Sequence, residues 1–189
     1  MGELTEFGST KYLLLLALLL GTRALDFLST WIATPNLVLE GNPVARKLGW
    51  RWGIPVNIVV CVALAFWIVP ATILITTSAL VAARNFQFAW LARSFGEHNY
   101  REWHTARLRE TRPTLVTFCV LAHVSLFGAV GAALVYFGGP SKPGGTAELM
   151  TVTQAIGVGV IAYAAAVAVF TLMNLWKLYR GSSSSKLEV

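Results

Sequence analysis

The sequence predicts an all-α, polytopic membrane helix bundle with five transmembrane helices and an interfacial amphipathic helix near residues 93–112. The 189-residue chain is 56% hydrophobic and only 13% charged, with a mean hydropathy of +0.62, whereas a soluble domain carries roughly 25% charged residues. Apolar runs near the roughly 20 residues that a helix needs to cross a bilayer occupy most of the chain. The net charge of +6 comes from Lys and Arg gathered mostly between those runs, as in membrane proteins with basic cytoplasmic loops. A soluble enzyme is therefore excluded, and so is a nucleic-acid partner, which would need a polar basic face on a soluble domain.

Turn and charge signals divide the chain into its predicted elements. Residues 1–180 are expected to form one integral membrane domain, with spans at about 12–33, 50–69, 70–91, 113–137 and 147–176. The first span runs into Arg23 and Asp26 without a small-residue cleavage site, so it is predicted to be retained and not removed as a signal peptide. A Gly- and Pro-rich turn is expected at 138–145. Residues 181–189 resemble a flexible linker that runs into the remnant of an expression tag.

The apolar stretch from Trp50 to Leu91 decides the number of spans. At about 1.5 Å per residue, its roughly 40 residues would extend about 60 Å as one helix, twice the roughly 30 Å of a hydrocarbon core. A hairpin near Val69 and Pro70 divides the stretch into two spans of normal length. Because the tip of this hairpin lacks a Gly or Asn, a four-span arrangement remains the alternative to the preferred five.

The positive-inside rule also favours five spans and predicts a multi-pass protein of the cell membrane with a cytoplasmic carboxy terminus. In that arrangement only Lys11 and Lys142 lie outside among the loop cations, whereas the four-span arrangement would place Arg46, Lys47, Arg51 and Lys142 outside. The cytoplasmic cations of the five-span arrangement are Arg46, Lys47, Arg51, Arg93, Arg101, Arg107, Arg109, Arg112, Lys177 and Arg180.

Ionisable side chains within a span are costly and are usually paired or functional. Arg23 and Asp26 lie in the first span, and Asp26 is the only aspartate of the chain. Their i, i+3 spacing allows a purely structural ion pair. In the five-span arrangement, however, Asp26 and Arg84 each lie about 21 Å into parallel helices, counted at about 1.5 Å per residue. The two side chains are then expected at the same level of the inner leaflet.

Other polar residues share this level, so a polar cavity is predicted there. A ring within the spans and two residues of the first loop form the predicted ligand-binding set: Arg23, Asp26, Thr30, Glu40, Asn42, Asn57, Arg84, Asn85 and His123. Three alternatives stay open: Arg84 snorkels to the cytoplasmic headgroups, His123 is a helix-contact histidine, and the loop is a plain solvated turn.

The motif Asp26-Phe-Leu-Ser-Thr30, followed by Glu40-Gly-Asn42-Pro43 and by Asn85 late in the third span, resembles a group of small, uncharacterised prokaryotic membrane proteins. The resemblance covers about residues 12–95. It implies that these positions form one unit and it favours the hairpin, but it implies no chemistry.

The segment 93–112 is the second candidate site, because His98 and Glu102 are spaced i, i+4 and His104 follows. Metal binding is the alternative to an interfacial helix whose aromatic side chains face acyl chains and whose arginines face anionic lipid. The nearby arginines oppose a cation, so no metal site and no cofactor are predicted. Cys61 and Cys119 lie in apolar runs and suggest neither a disulfide nor a zinc site.

Three functions remain at this level. The first is an integral membrane binding or transport protein whose inner-leaflet cavity takes a small polar or anionic solute or a lipid headgroup. The second is an accessory or scaffold subunit in which the polar residues only set helix register. The third is a membrane enzyme acting on a lipid or isoprenoid phosphate, for which no known signature or catalytic residue is found. Membrane lipids, a small anionic or polar ligand and a second copy of the chain are the expected partners.

Small residues in the last two spans predict that these helices pack closely and offer faces for self-association. Those residues are Gly128, Gly131, Ala132, Gly157, Gly159, Ala164 and Ala168.

Overall fold

The computed structural model describes residues 4–139 and 150–184, which form six α-helices. The helices are α1 (Thr10–Ala33), α2 (Pro43–Leu64), α3 (Ile68–Phe95), α4 (Glu97–Glu110), α5 (Pro113–Phe137) and α6 (Val152–Ser184). All except α4 are long and apolar enough to cross a membrane. The predicted all-α bundle with five membrane helices is therefore confirmed. The predicted turn after Gly139, the start of the fifth span before Met150 and the end of the tag after Ser184 lie outside the described residues.

The hairpin between α2 and α3 turns at residues 65–67, a few residues before the predicted corner at Val69 and Pro70. Pro70 instead occupies the first turn of α3, where a missing N–H costs no helical hydrogen bond. The turn needs no glycine because none of its residues adopts a positive φ. The amino-terminal segment bonds its carbonyls. Thr5 donates its backbone N–H to Phe66 O (2.9 Å) and its hydroxyl to Ala65 O (2.8 Å).

The hairpin makes α1 and α3 run parallel and side by side. Arg23 on α1 reaches Ser78 on α3, and Asn85 on α3 reaches Thr30 on α1, both pairs separated by 55 residues in sequence. In this register Asp26 is level with Val81, so Arg84 lies about one helical turn away, roughly 4.5 Å along the axis. The sequence predicts the same height for Asp26 and Arg84, and this register places them within about one helical turn of each other.

Small buried side chains allow α3 to occupy the centre of the bundle, between α1 and α6. They are Ala71, Ser78, Ala82, Ala89 and Ala92. Such residues let helix backbones approach closely in a membrane, where apolar burial alone gives little driving force.

The α5–α6 contact uses only part of the predicted set of small residues. A Cβ on Gly131 would lie 2.7 Å from Gly157 O, and one on Gly157 would lie 2.7 Å from Gly131 O. Gly159 instead faces α3, where its Cβ would meet Thr76, and a Cβ on Gly128 would meet nothing within 4 Å. The close approach of α5 and α6 is therefore centred on one pair of glycines.

Two glycines with positive φ change the chain direction near one end of the bundle. Gly49 (φ 59°) breaks α2, so the predicted start of the second span at Trp50 coincides with this break, although helix already begins at Pro43. Gly96 (φ 78°) separates α3 from α4, and left-handed φ values favour glycine at such positions. We call the end that carries α4 and the loop 34–42 the α4 end. At the other extreme of the chain, α6 continues to Ser184, through residues predicted to be linker.

Candidate functional site

A partly open cavity of about 590 Å³ lies at the α4 end. Its walls come from α1, α2, α3, α4, α6 and the loop 34–42, whereas α5 contributes no lining residue. The charged lining groups are Arg23, Asp26, Glu40 and Arg84, and the aromatic ones are Phe27, Trp50, Phe88, Tyr100, Tyr163 and Phe170.

Arg23 is held by polar side chains from three helices. Its Nη1 donates to Asp26 Oδ2 (2.9 Å) and to Ser78 Oγ (3.2 Å). Its Nε donates to Asn57 Oδ1 (2.9 Å), which also accepts from Nη2. Asn57 is oriented in turn by donating Nδ2 to Gly53 O (2.8 Å). The ion pair that the i, i+3 spacing suggests is thus present, and it belongs to a larger network.

Arg84 is in a different state. It lines the cavity, yet its guanidinium makes no hydrogen bond or ion pair with any residue in ranges 4–139 and 150–184. Its neighbour Asn85 donates Nδ2 to Thr30 Oγ1 (3.3 Å), which ties α3 to α1 beside it. A guanidinium has five N–H donors and no acceptor, so all the donors of Arg84 are open to a bound acceptor.

The loop motif Glu40-Gly-Asn42-Pro43 has a structural basis. Asn42 is the N-cap of α2, and its Oδ1 accepts from Val44 N (2.9 Å) and Ala45 N (3.5 Å). Pro43 occupies the first helical position, which suits proline. Glu40 Oε1 accepts from Asn42 N (2.7 Å). The same loop lines the cavity through Glu40 and Asn42, so it both starts α2 and closes part of the site.

Contacts with α4 and α2 hold the loop in place. Glu97 Oε1 accepts from Asn36 N (2.9 Å), and Trp50 Nε1 donates to Pro35 O (2.8 Å). Opposite the loop, a Cβ on Gly41 would lie 3.2 Å from Asn174 Nδ2 on α6. A larger side chain at Gly41 would therefore have to displace the Asn174 side chain.

The structure brings together all of the sequence-predicted residues except one. Arg23, Asp26, Thr30, Glu40, Asn42, Asn57, Arg84 and Asn85 line the cavity. His123 does not, since it lies behind Tyr163, with 3.4 Å between His123 Nε2 and the tyrosine hydroxyl. The helix-contact interpretation of His123 fits this position, because its ring also packs 4.7 Å from that of Phe127.

Sequence reasoning missed the contribution of α4. Tyr100 and His104 line the cavity with stacked rings whose centroids are 5.8 Å apart. Partial burial raises the pKa of Tyr100 and lowers that of His104 from its ordinary value of 6.5. Their i, i+4 spacing was visible in the sequence, but the turn at Gly96 that brings them to the cavity was not.

The cavity offers charged, amide and aromatic groups without a metal-binding cluster. Within the described ranges, no group of three or more His, Cys, Asp or Glu side chains is placed to hold a metal ion. Comparison with protein-family models, with curated proteins and with solved structures finds no match for the chain. The chemistry of the cavity is therefore the basis for assigning a function.

Proposed function

We propose that this integral membrane protein binds a small molecule or a lipid headgroup in the cavity at the α4 end, and that as a transporter it would carry this ligand. The bound part of the ligand is an anionic group, either a phosphate or a carboxylate. The observation that carries the proposal is the unpaired guanidinium of Arg84 on the cavity wall. An arginine within a membrane span is expensive and normally pairs or faces a functional cavity. Arg23 shows the paired state on the neighbouring helix, which makes the open donors of Arg84 the ones left for a ligand.

The position of Arg84 favours ligand binding over snorkelling to the headgroups. It precedes Phe95 at the end of α3 by about 11 residues, roughly 16 Å along the helix axis. A planar guanidinium matches carboxylate and phosphate oxygens in two-point contacts. An anion at Arg84 would therefore be gripped within the bundle, beside Asn85.

Charge also favours the inner leaflet for this cavity. Exposed cations gather at the α4 end, including Arg46, Lys47, Arg93, Arg101 and Arg109. Under the positive-inside rule this end faces the cytoplasm, in the cell membrane that the sequence predicts.

Titration of the purified protein with phosphate monoesters tests the proposal. The protein is held in a non-ionic maltoside detergent, and binding of ethyl phosphate and of lysophosphatidate is measured by calorimetry. We expect Arg84→Gln to weaken binding at least about tenfold, since a lost charged hydrogen bond costs about 1.5–3 kcal/mol. Arg93→Gln is the matched control, because Arg93 is exposed on the same helix outside the cavity.

The two ligands separate the two sources of an anionic group. Binding of ethyl phosphate indicates a soluble solute, whereas binding of lysophosphatidate alone indicates a lipid headgroup. The proposal would be contradicted if Arg84→Gln bound each ligand as tightly as the wild type and Arg93→Gln do, or if the wild type bound neither ligand. The second outcome would leave the polar groups with the register-setting role of an accessory subunit.

A further inference from the structure

The charges of the cavity are separated into two regions. Asp26 on α1 bonds Arg23, and Glu40 lines the same cavity from the loop 34–42. Arg84 lines the cavity from α3 and bonds neither carboxylate. Asp26 and Glu40 therefore form the acidic region of the cavity, and the unpaired Arg84 forms its basic region.

The acidic region carries an uncompensated negative charge. Arg23 neutralises one carboxylate, and Asp26 and Glu40 together supply two. Each carboxylate also has an unused oxygen: Asp26 bonds Arg23 through Oδ2 only, and Glu40 bonds the backbone through Oε1 only. Neither remaining oxygen accepts a hydrogen bond from a residue that the structure describes, so both can accept one from a ligand.

Aromatic rings flank the acidic region. Phe27 follows Asp26 on α1, and its ring centroid lies 6.0 Å from that of Trp50 on α2. Arg23 already lies over the Phe27 ring, with Cζ 5.7 Å from its centroid. Aromatic faces attract cations, and more strongly where water is excluded. Carboxylates beside aromatic faces are suited to an ammonium group.

We propose that the ligand is a zwitterion, with its anionic group at Arg84 and an ammonium group between Asp26 and Glu40. This inference rests on the proposed function and specifies the class of its ligand. The charged lining groups sum to zero, with Arg23 and Arg84 against Asp26 and Glu40. A molecule with both signs of charge leaves neither region unpaired, whereas a simple anion leaves the acidic region facing its own negative charge.

Phosphoethanolamine and ethyl phosphate are a matched pair of probes, because they differ by one ammonium group at similar size. In maltoside detergent, we expect the wild type to bind phosphoethanolamine at least about tenfold more tightly than ethyl phosphate. Glu40→Gln should abolish this preference by weakening phosphoethanolamine and strengthening ethyl phosphate. Glutamine keeps an oxygen for Asn42 N, so the start of α2 is preserved. Glu102→Gln, an exposed carboxylate on α4, is the control and should keep the full preference.

The outcomes separate this inference from the proposed function. Tighter or equal binding of ethyl phosphate by the wild type would overturn the zwitterion and leave the anion site at Arg84 standing. The zwitterion would also be overturned if Glu40→Gln, with unchanged thermal unfolding, still bound phosphoethanolamine more tightly than ethyl phosphate by the wild-type factor. Loss of all binding in the wild type would refute both proposals. A further gain in affinity for lysophosphatidylethanolamine would support the zwitterion and identify the source as a lipid headgroup.

Discussion

Arg23 contacts three polar side chains on three helices, Asp26 on α1, Asn57 on α2 and Ser78 on α3. Each contact satisfies donors that would otherwise lie unpaired among apolar side chains. The network therefore fixes how α2 is rotated against α1 and α3. The ion pair of Asp26 is made with Arg23 and not with Arg84.

Replacing Asn57 with leucine tests this structural role. Asn57→Leu removes the acceptor shared by Nε and Nη2 of Arg23, so we expect the thermal unfolding midpoint to fall. The cost of leaving a buried donor unsatisfied is about 1–3 kcal/mol. Ile58→Leu is the control, because Ile58 is 48% exposed on the outer surface of the same helix. Equal midpoints for the two variants in detergent would show that the network contributes no stability.

At the scale of elements, α4 and the loop 34–42 act together on the cavity. Glu97 at the start of α4 binds the loop at Asn36, while Tyr100 and His104 enter the cavity wall. An interfacial helix was predicted here from composition, and α4 occupies that segment. The contribution of α4 to the cavity wall follows only from the change of chain direction at Gly96.

The glycines of α5 provide a matched test of helix packing. Gly131→Ala would place a Cβ 2.7 Å from Gly157 O, a backbone atom that cannot move without shifting α6. Overpacking of this kind typically costs about 1–3 kcal/mol. Gly128→Ala adds the same atom where nothing lies within 4 Å, and it should be neutral or stabilising by up to about 1 kcal/mol.

The midpoint of heat-induced loss of the monodisperse peak in size-exclusion chromatography measures this difference. We expect a clear decrease for Gly131→Ala and none for Gly128→Ala. If Gly128→Ala lowered the midpoint more than Gly131→Ala does, α5 and α6 would not cross at Gly131 and Gly157.

At the scale of the whole molecule, five spans place Ser9 and α4 on opposite sides of the membrane, whereas four would place them on the same side. Single cysteines at Ser9 and Glu102 can be labelled with a membrane-impermeant maleimide in intact cells. We expect Ser9→Cys to react from outside and Glu102→Cys to react only after permeabilisation. Cys119→Ala removes the exposed native thiol, and Cys61 is buried. Reaction of both sites from one side would contradict the five-span topology.

Much of this architecture could be predicted from the order of residues. The number of spans follows from segment length and apolarity, because a bilayer demands both. The shared level of Asp26 and Arg84 follows from counting residues along parallel helices. Closing the hairpin at residues 65–67 was less predictable, since its carbonyls are satisfied by Thr5, about 60 residues earlier in the chain.

Local order along the chain was thus sufficient to predict the relative heights of Asp26 and Arg84 to within about one helical turn, because height along a helix increases by a constant rise per residue. The direction in which a side chain points around the helix axis depends on which helices pack against each face. Only the tertiary structure determines that direction. That is why His123 lies behind Tyr163, outside the cavity wall. It is also why Arg23 is hydrogen-bonded to its neighbours, while Arg84 on the adjacent helix keeps its donors free.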